Sequence, residues 1–250
     1  MSRVVSDGCG CFPTGRHYPG IAHLLKVTIR GLVAGFTNDV PWQEIDVALL
    51  DVETTGRDAS VDRVVEVGIV VGRRGEVVAR YNWLINPGMP IPAEVTALHH
   101  ITNEMVADKP RFEAIAPEIA NALKGCVPAA YNAMFDRAFM MSEFSRAKSA
   151  GVAEYTDVPA LTREVEWLDP LVWARDLQDN EKSRSLGDVA ARLGVKLENA
   201  HRAEDDAEAA LRVLYALGRD ARIPRAYGAM VQEQRRLSQK QADARRMWRS

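Results

Sequence analysis

Two acidic residues stand one position apart at the end of an apolar run, in the stretch "LLDVETTGR" at residues 49–57. Side chains alternate across a β-strand, so we expect Asp51 and Glu53 to project from the same face. If that face is buried, their mutual repulsion raises the pKa of one carboxyl group. A divalent cation removes this penalty, because hard cations such as Mg²⁺ prefer carboxylate oxygens. The pair is therefore compatible with a cation site or with a solvated strand end.

The three residues that follow these acids add donors for an anionic ligand. Thr54 and Thr55 offer backbone and hydroxyl donors that suit a phosphate or a sugar. Gly56 allows close approach of the backbone or a positive φ angle. A surface turn would use the same residues, so both interpretations stay open.

Another acid occurs in "AAYNAMFDRAFM", residues 129–140. Asn132 stands where a predicted strand ends, and it is suited to cap the N-terminus of a helix. Asp136 falls about one turn into that helix, where a carboxylate also stabilises the helix dipole. Taken alone, Asp136 is explained by this structural role.

The stretch "HRAEDDAEAALRVLYALG", residues 201–218, contains two adjacent aspartates that helical periodicity separates. Asp206 shares a helical face with the apolar positions Ala203, Ala210, Val213 and Leu217. Asp205 shares a face with the charged positions Glu208, Arg212 and Arg219. We therefore expect Asp206 to be buried and Asp205 to face solvent. A buried carboxylate requires a partner, which would be a metal ion or an arginine.

His201 precedes this helix and lies five residues before Asp206. An imidazole with a pKa of ~6.5 can accept a proton from water at neutral pH. A single histidine is more often structural or merely exposed, but its place beside an inward aspartate favours a chemical role.

Hydrophobic patterning supplies the elements that must position these residues. Strands are predicted at 45–53, 64–72, 76–86 and 127–131, with a glycine-containing turn at 73–75 between the second and third. Helical spacing is found at 111–124, 134–150, 185–193 and 203–218. Strands first and alternation later predict a mixed sheet with helices packed on it.

The motifs "DVETTG", "NAMFD" and "HRAEDD", in this order, resemble the three exonuclease motifs of the DnaQ-like superfamily, in its Asp-Glu-Asp-Asp-His branch. The resemblance covers roughly residues 45–219, and "LHHIT" (98–102) and the helix that begins near Leu186 are also similar to this family. Each motif is weak alone, but three in order are specific. The resemblance implies an α/β, ribonuclease H-like fold with a mixed five-stranded sheet flanked by helices.

The resemblance also implies roles for individual residues. It makes two divalent cations, Mg²⁺ or Mn²⁺, the cofactors, with the ligands Asp51, Glu53, Asp136 and Asp206. It makes His201 the general base. The residues expected to bind the terminal nucleotide are Thr54, Thr55, Gly56, His99 and Asn132. Two positions depart from the family pattern: Tyr131 replaces a common histidine, and His100 replaces a common glycine.

The implied activity is metal-dependent 3′–5′ exonuclease activity that releases nucleoside 5′-monophosphates. The favoured substrate is DNA, as for proofreading exonucleases that work with a bacterial replicative polymerase. The expected partners are the 3′ end of single-stranded DNA or RNA and, for a proofreading enzyme, a polymerase catalytic subunit. The alternatives are a stand-alone exonuclease for RNA or oligonucleotides and a non-catalytic protein that binds nucleic-acid ends.

Composition and patterning indicate domain boundaries in the chain but do not identify its function. The 250 residues are 47% hydrophobic with a formal net charge of −2, so global charge names no partner. We expect an N-terminal extension at 1–43, partly disordered with a helix at 21–36, an exonuclease domain at 44–219, and a basic tail at 220–250. The extension contains a weak metal motif, for which free thiols are the better explanation: Cys9, Cys11, His17 and His23. No apolar run predicts a membrane span or a secretory signal, so we expect a cytoplasmic protein.

Overall fold

The computed structural model describes residues 30–151, 155, 158–197 and 200–247. Within them lies one mixed sheet, in which the strand order is β3-β2-β1-β4. The strands are β1 (Val47–Thr54), β2 (Val64–Arg73), β3 (Glu76–Leu84) and β4 (Val127–Ala130). β2 pairs antiparallel with both β1 and β3, and β4 pairs parallel with β1. The four predicted strands are confirmed.

Eight α-helices are described around this sheet. They are α1 (Ala93–His99), α2 (Asn103–Val106), α3 (Phe112–Leu123), α4 (Met134–Ser149), α5 (Pro170–Leu177), α6 (Leu186–Arg192), α7 (Ala203–Leu217) and α8 (Tyr227–Met247). The four predicted helices correspond to α3, α4, α6 and α7. None of the described helices is both long and apolar enough to span a membrane.

The sheet has four strands in the described residues, so the expectation of five strands is wrong. Beside β4, Leu168 makes one isolated parallel bridge to Ala129. Its N–H donates to the Pro128 carbonyl at 2.9 Å, and its carbonyl accepts from Ala130 N at 3.0 Å. Asp169 then caps α5, and Pro170 occupies the first helical turn. Because proline has no N–H and favours a helix start, the extended segment ends after one bridge.

The two faces of β1 bury different side chains. Val47 and Leu49 point to the core under α7, whereas Ala48, Leu50 and Val52 point to the core under α3 and α4. Continuing the alternation, the next side chains on the α7 face are Asp51 and Glu53. Asp51 and Glu53 thus continue the row of apolar side chains formed by Val47 and Leu49, at the C-terminal end of β1.

Helix α7 approaches the sheet closely because β2 carries glycines beneath it. A Cβ on Gly68 would lie 2.2 Å from the carbonyl carbon of Ala203, at the start of α7. A Cβ on Gly72 would lie 2.7 Å from Leu211 Cδ2. Since Gly68 is the cross-strand partner of Asp51, the first turn of α7 is held beside the acids.

The N-terminal segment differs from the helix expected at 21–36. Residues 30–36 form turns, in which Gly31 and Gly35 have positive φ angles of 98° and 93°. Val33 N donates to the Tyr227 hydroxyl at 3.3 Å, and Phe36 packs edge-on against the same ring. The remainder of the expected helix, and the cysteines and histidines of residues 9–23, lie outside the described residues.

The basic segment after residue 220 contains α8, whose first half is part of the core. Its buried residues recur at helical spacing: Tyr227, Met230, Val231, Gln234 and Leu237. The second half is mostly exposed, although Gln241 Nε2 donates to the Val172 carbonyl at 2.8 Å. The segment expected to be a basic tail therefore contains a helix that is packed against the core at one end.

Candidate active site

Asp51 and Glu53 lie at the end of β1, on the face covered by α7, as predicted. Their cross-strand partners on β2 are Gly68 and Glu66. The pKa of Asp51 is raised well above its ordinary value. Desolvation is the largest cause, and repulsion from neighbouring carboxylates is the next. Desolvation also raises the pKa of Glu53 to about 8, with repulsion from Asp206 as the next cause.

Asp136 reaches the same region from the first turn of α4. Its side chain is 3% exposed, and Oδ1 accepts a hydrogen bond from Val52 N at 3.1 Å. The ladder between β1 and β4 ends at the pair Leu50 and Ala130, so the carboxylate takes the place of a strand partner for Val52. Desolvation raises the pKa of Asp136 to about 8.

The turn before α4 corrects one expectation. The N-cap of α4 is Ala133, which makes no side-chain capping bond, so Asn132 is not the cap. Asn132 instead adopts a positive φ of 71°, a conformation that asparagine tolerates better than most residues. Asp169 holds this turn by accepting from Asn132 N at 3.0 Å and from Ala133 N at 3.1 Å. Asn132 itself is exposed, four residues before Asp136.

The third element is the start of α7. Asp206 is 8% exposed, which confirms that it points inward. Asp205 is half-buried, so the expectation that it faces solvent is met only in part. Asp206 Oδ2 accepts from His201 N at 2.9 Å, and His201 has a positive φ of 68°. His201 is exposed. Glu53, His201 and Asp206 each offer an atom within 4.8 Å of the others.

The electrostatics of the four acids fit a divalent cation. Burial raises the pKa of all four carboxyl groups, and the acids also repel one another. Carboxylate oxygens are the ligands that Mg²⁺ and Mn²⁺ prefer. Cations bound here would replace both the lost hydration and the repulsion with attraction, so the donor set suits the cofactor that the sequence predicts.

The Thr54–Gly56 turn is internally bonded. Thr54 Oγ1 donates to the Gly56 carbonyl at 2.5 Å, and Thr55 Oγ1 accepts from Arg63 N at 3.0 Å. A Cβ on Gly56 would lie 2.3 Å from Asp62 Oδ2, so glycine serves close packing here. The hydroxyl groups hold the shape of the turn, and their predicted contact with a nucleotide stays a prediction.

His99 is buried rather than displayed on the surface. It is 2% exposed, and its Nδ1 accepts from Ile101 N at 3.0 Å. Nε2 therefore carries the proton, and it makes no hydrogen bond of good geometry within the described part of the chain. Burial lowers the pKa of the imidazole, against a smaller opposing effect of the Thr54 backbone, and so favours the neutral form. The predicted contact of His99 with a nucleotide stays a prediction.

The two departures from the family pattern have structural counterparts. His100 ends α1 in the left-handed region at φ 59°, where glycine is less strained. The Tyr131 hydroxyl donates to the Arg184 carbonyl at 2.7 Å, so this side chain anchors the loop before α6.

One residue beside the acids was not singled out by the sequence patterns. Glu66 is fully buried, faces Glu53 across the strands, and forms an ion pair with Arg202. The signal that could have found it is a single acid within the otherwise apolar strand "VVEVGIVVG". Its partner lies 136 residues away, so the sequence alone did not reveal the pairing.

Comparisons with known proteins agree with this architecture. Residues 48–214 match the family model RNase_T, described as exonuclease. DNA polymerase III subunit epsilon of Treponema pallidum is 34% identical over 166 residues, which span 66% of this chain and 73% of that protein. PolC-type DNA polymerase III of Streptococcus pneumoniae is 34% identical over 197 residues, but the match spans 75% of this chain and only 13% of that polymerase.

Solved structures support the fold. Exonuclease X in complex with 5′ overhanging duplex DNA superposes with a TM-score of 0.56 at 23% identity, covering 74% of this chain and 99% of that chain. A structure of exonuclease I has a TM-score of 0.60 at 18% identity, covering 72% of this chain and 42% of that chain. At these identities the likeness establishes the architecture alone.

Proposed function

Because the chain belongs to the RNase_T exonuclease family, whose members are DnaQ-like 3′–5′ exonucleases, we propose that it removes nucleotides from the 3′ end of single-stranded DNA as nucleoside 5′-monophosphates. The observation that carries the proposal is the cluster of Glu53, Asp206 and the exposed His201, whose side chains each offer an atom within 4.8 Å of the others. Asp51 and Asp136 support it, because repulsion from Asp136, Asp206 and Glu53 contributes to the raised pKa of Asp51. Similarity to an epsilon subunit and to PolC favours DNA as the substrate and a replicative polymerase as the partner.

In the proposed mechanism Asp51, Glu53, Asp136 and Asp206 would hold divalent cations. When bound, such cations polarise the scissile phosphate, lower the pKa of the attacking water and stabilise the leaving oxygen. The imidazole of His201 takes the proton of that water. Asp206 supports this step, because its bond to His201 N fixes the backbone that carries the ring. The exposed amide of Asn132 contacts the terminal nucleotide.

Cleavage of labelled oligonucleotides tests the proposal. Single-stranded DNA and RNA, each labelled at the 5′ end, are incubated with Mg²⁺, Mn²⁺ or EDTA. We expect a ladder that shortens by one nucleotide at a time on DNA, with no cleavage in EDTA. A ladder on RNA alone would assign the chain to RNA ends, and binding of both without cleavage would make it a non-catalytic end-binding protein.

The adjacent aspartates of α7 provide a matched pair of variants. Asp206→Asn is expected to abolish cleavage, because it removes a charge from the buried cluster while keeping an acceptor for His201 N. Asp205→Asn, one residue away and half-buried, is expected to cleave at nearly the parent rate. Equal losses in the two variants would contradict the assignment of Asp206 as the cation ligand.

A further inference from the structure

Glu66 is a buried carboxylate that the proposed mechanism does not use. It lies in β2, is fully buried, and projects from the face that carries Asp51 and Glu53. Burying a carboxylate is costly unless it is paired and hydrogen-bonded. Its partners therefore indicate what this residue does.

Three groups from two other elements donate to Glu66. Its Oε1 accepts from Arg202 Nη2 at 2.7 Å and from Asn82 Nδ2 at 3.0 Å. Its Oε2 accepts from the backbone N–H of Ala203 at 3.1 Å. These bonds occupy most of the acceptor capacity of the carboxylate. Glu66 is thus engaged within the protein by more donors than Asp136 or Asp206, each of which accepts one backbone hydrogen bond.

The bond to Ala203 gives Glu66 the role of a helix cap. Arg202 is the N-cap residue of α7, and its own side chain makes no capping bond. The first N–H groups of a helix lack intrahelical partners, and a side-chain acceptor usually satisfies one of them. Here a carboxylate on the neighbouring strand performs this function, so the start of α7 is fixed to the sheet.

The segment from His201 to Asp206 is consequently held at two points. Asp206 binds His201 N from within the segment, and Glu66 binds Arg202 and Ala203 from the sheet. Gly68 allows Ala203 to rest directly on β2. Loss of the sheet anchor would let the imidazole of His201 and the carboxylate of Asp206 move together.

We propose that Glu66 and Arg202 form a positioning pair, which fixes the His201–Asp206 segment against β2 and so aligns the base with the acid cluster. This inference rests on the proposed function for its kinetic effect. Its structural content, an anchor for the first turn of α7, does not depend on activity.

The kinetic test is a double-mutant cycle with Glu66→Gln and Arg202→Gln. Loss of a group that orients ligands typically reduces activity by about 10–100-fold. We expect kcat on single-stranded DNA to fall by about that factor in each single variant, with KM changed less than about twofold, because the anchor acts on alignment rather than on binding. The double variant should be no slower than the slower single variant, because both changes remove one interaction. Arg202→Lys, which keeps the ion pair, should recover most of the rate.

The matched control is the ion pair of Arg80 and Glu208, which also joins the sheet to α7. Arg80 Nε lies 2.6 Å from Glu208 Oε2. Glu208→Gln breaks an ion pair on the same helix but beyond the His201–Asp206 segment. We expect its kcat to equal that of the parent.

Hydrogen–deuterium exchange supplies a readout that is independent of catalysis. Amides of residues 200–207 should exchange faster in Glu66→Gln and Arg202→Gln than in the parent or in Glu208→Gln. Unchanged protection of this segment would overturn the anchor. Complete loss of activity in Glu66→Gln with full activity in Arg202→Gln would also overturn it, by making Glu66 a cation ligand. A parent protein that cleaves nothing would refute the proposed function while leaving the exchange experiment decisive.

Discussion

At the scale of single residues, the acids at the candidate site are costly to ionise without a counter-charge. Glu53 and Asp136 have pKa values raised to about 8 from ordinary values of 4.5 and 3.8, in both cases chiefly through desolvation. A raised folded-state pKa means that the folded protein binds protons more tightly than the unfolded chain. Below pH about 8, the protonated forms of Glu53 and Asp136 are therefore favoured when no cation is bound.

The difference between the folded-state and the ordinary pKa values predicts how stability depends on pH. The contribution of Glu53 and Asp136 to the free energy of unfolding is fully present below pH ~4. It is lost as the pH rises through their folded-state pKa values of about 8. In EDTA we expect the melting temperature to fall between about pH 5.5 and about pH 8.5, as measured by calorimetry. Mn²⁺ should reverse the fall at the upper end, and Asp136→Asn should reduce it. A cation-free melting temperature that rises over this interval would contradict the prediction.

The side chain of His201 is exposed, and its backbone is in the left-handed region. A mutation can remove the imidazole while keeping this backbone conformation. His201→Asn removes the imidazole but tolerates φ 68° better than alanine does. We expect kcat to fall by about 10²–10⁴-fold, the usual contribution of a positioned general base, with little change in the melting temperature. Single-turnover cleavage rates and thermal unfolding check both parts. A variant with the parent's rate would exclude His201 as the base.

At the scale of elements, the site depends on how closely α7 packs on β2. Glycine permits this contact at residue 68, because any side chain there would collide with the backbone at the start of α7. Backbone cannot yield as a flexible side chain does, so the helix itself would have to shift. Asp51 and Glu53 on β1 are thus brought close to Asp206 on α7 by a contact that involves none of these acids.

Gly68→Ala tests this packing. We expect a loss of about 1–3 kcal/mol in the free energy of unfolding, as for other overpacked sites, together with a fall in kcat. Gly187→Ala in α6 is the matched control, because a Cβ added at Gly187 would meet nothing within 4 Å. Alanine there should stabilise the helix by up to about 1 kcal/mol. Denaturant unfolding measures both, and an equal response of the two variants would contradict the argument.

At the scale of the whole molecule, the C-terminal helix supports the site from a distance. Gln234 of α8 is buried, and its Oε1 accepts from Asp169 N at 2.8 Å while its Nε2 donates to the Trp167 carbonyl at 2.8 Å. Asp169 in turn holds the turn at Asn132. The boundary predicted near residue 219 stays a prediction, but these contacts join α8 to the turn that presents Asp136.

Gln234→Ala would leave Asp169 N and the Trp167 carbonyl without this partner in the interior. Unsatisfied buried groups cost about 1–3 kcal/mol each, so we expect a loss of about 3 kcal/mol in the free energy of unfolding. Gln239→Ala on the same helix is the control, because Gln239 is exposed and bonds to the nearby Asp243 rather than to the core. It should change stability by less than about 0.5 kcal/mol. Equal effects in chemical denaturation would argue against a supporting role for α8.

The local pattern of the sequence determined most of the elements and the direction of the key acids. Period-two alternation placed Asp51 and Glu53 on one face, and period 3.6 distinguished Asp206 from Asp205, because both patterns depend on neighbouring residues alone. Only the tertiary structure decided the single bridge at Leu168, the turn at Asn132, the burial of α8 and the pairing of Glu66 with Arg202. Each of these depends on a partner far away in the chain, and no local periodicity records which distant groups will meet.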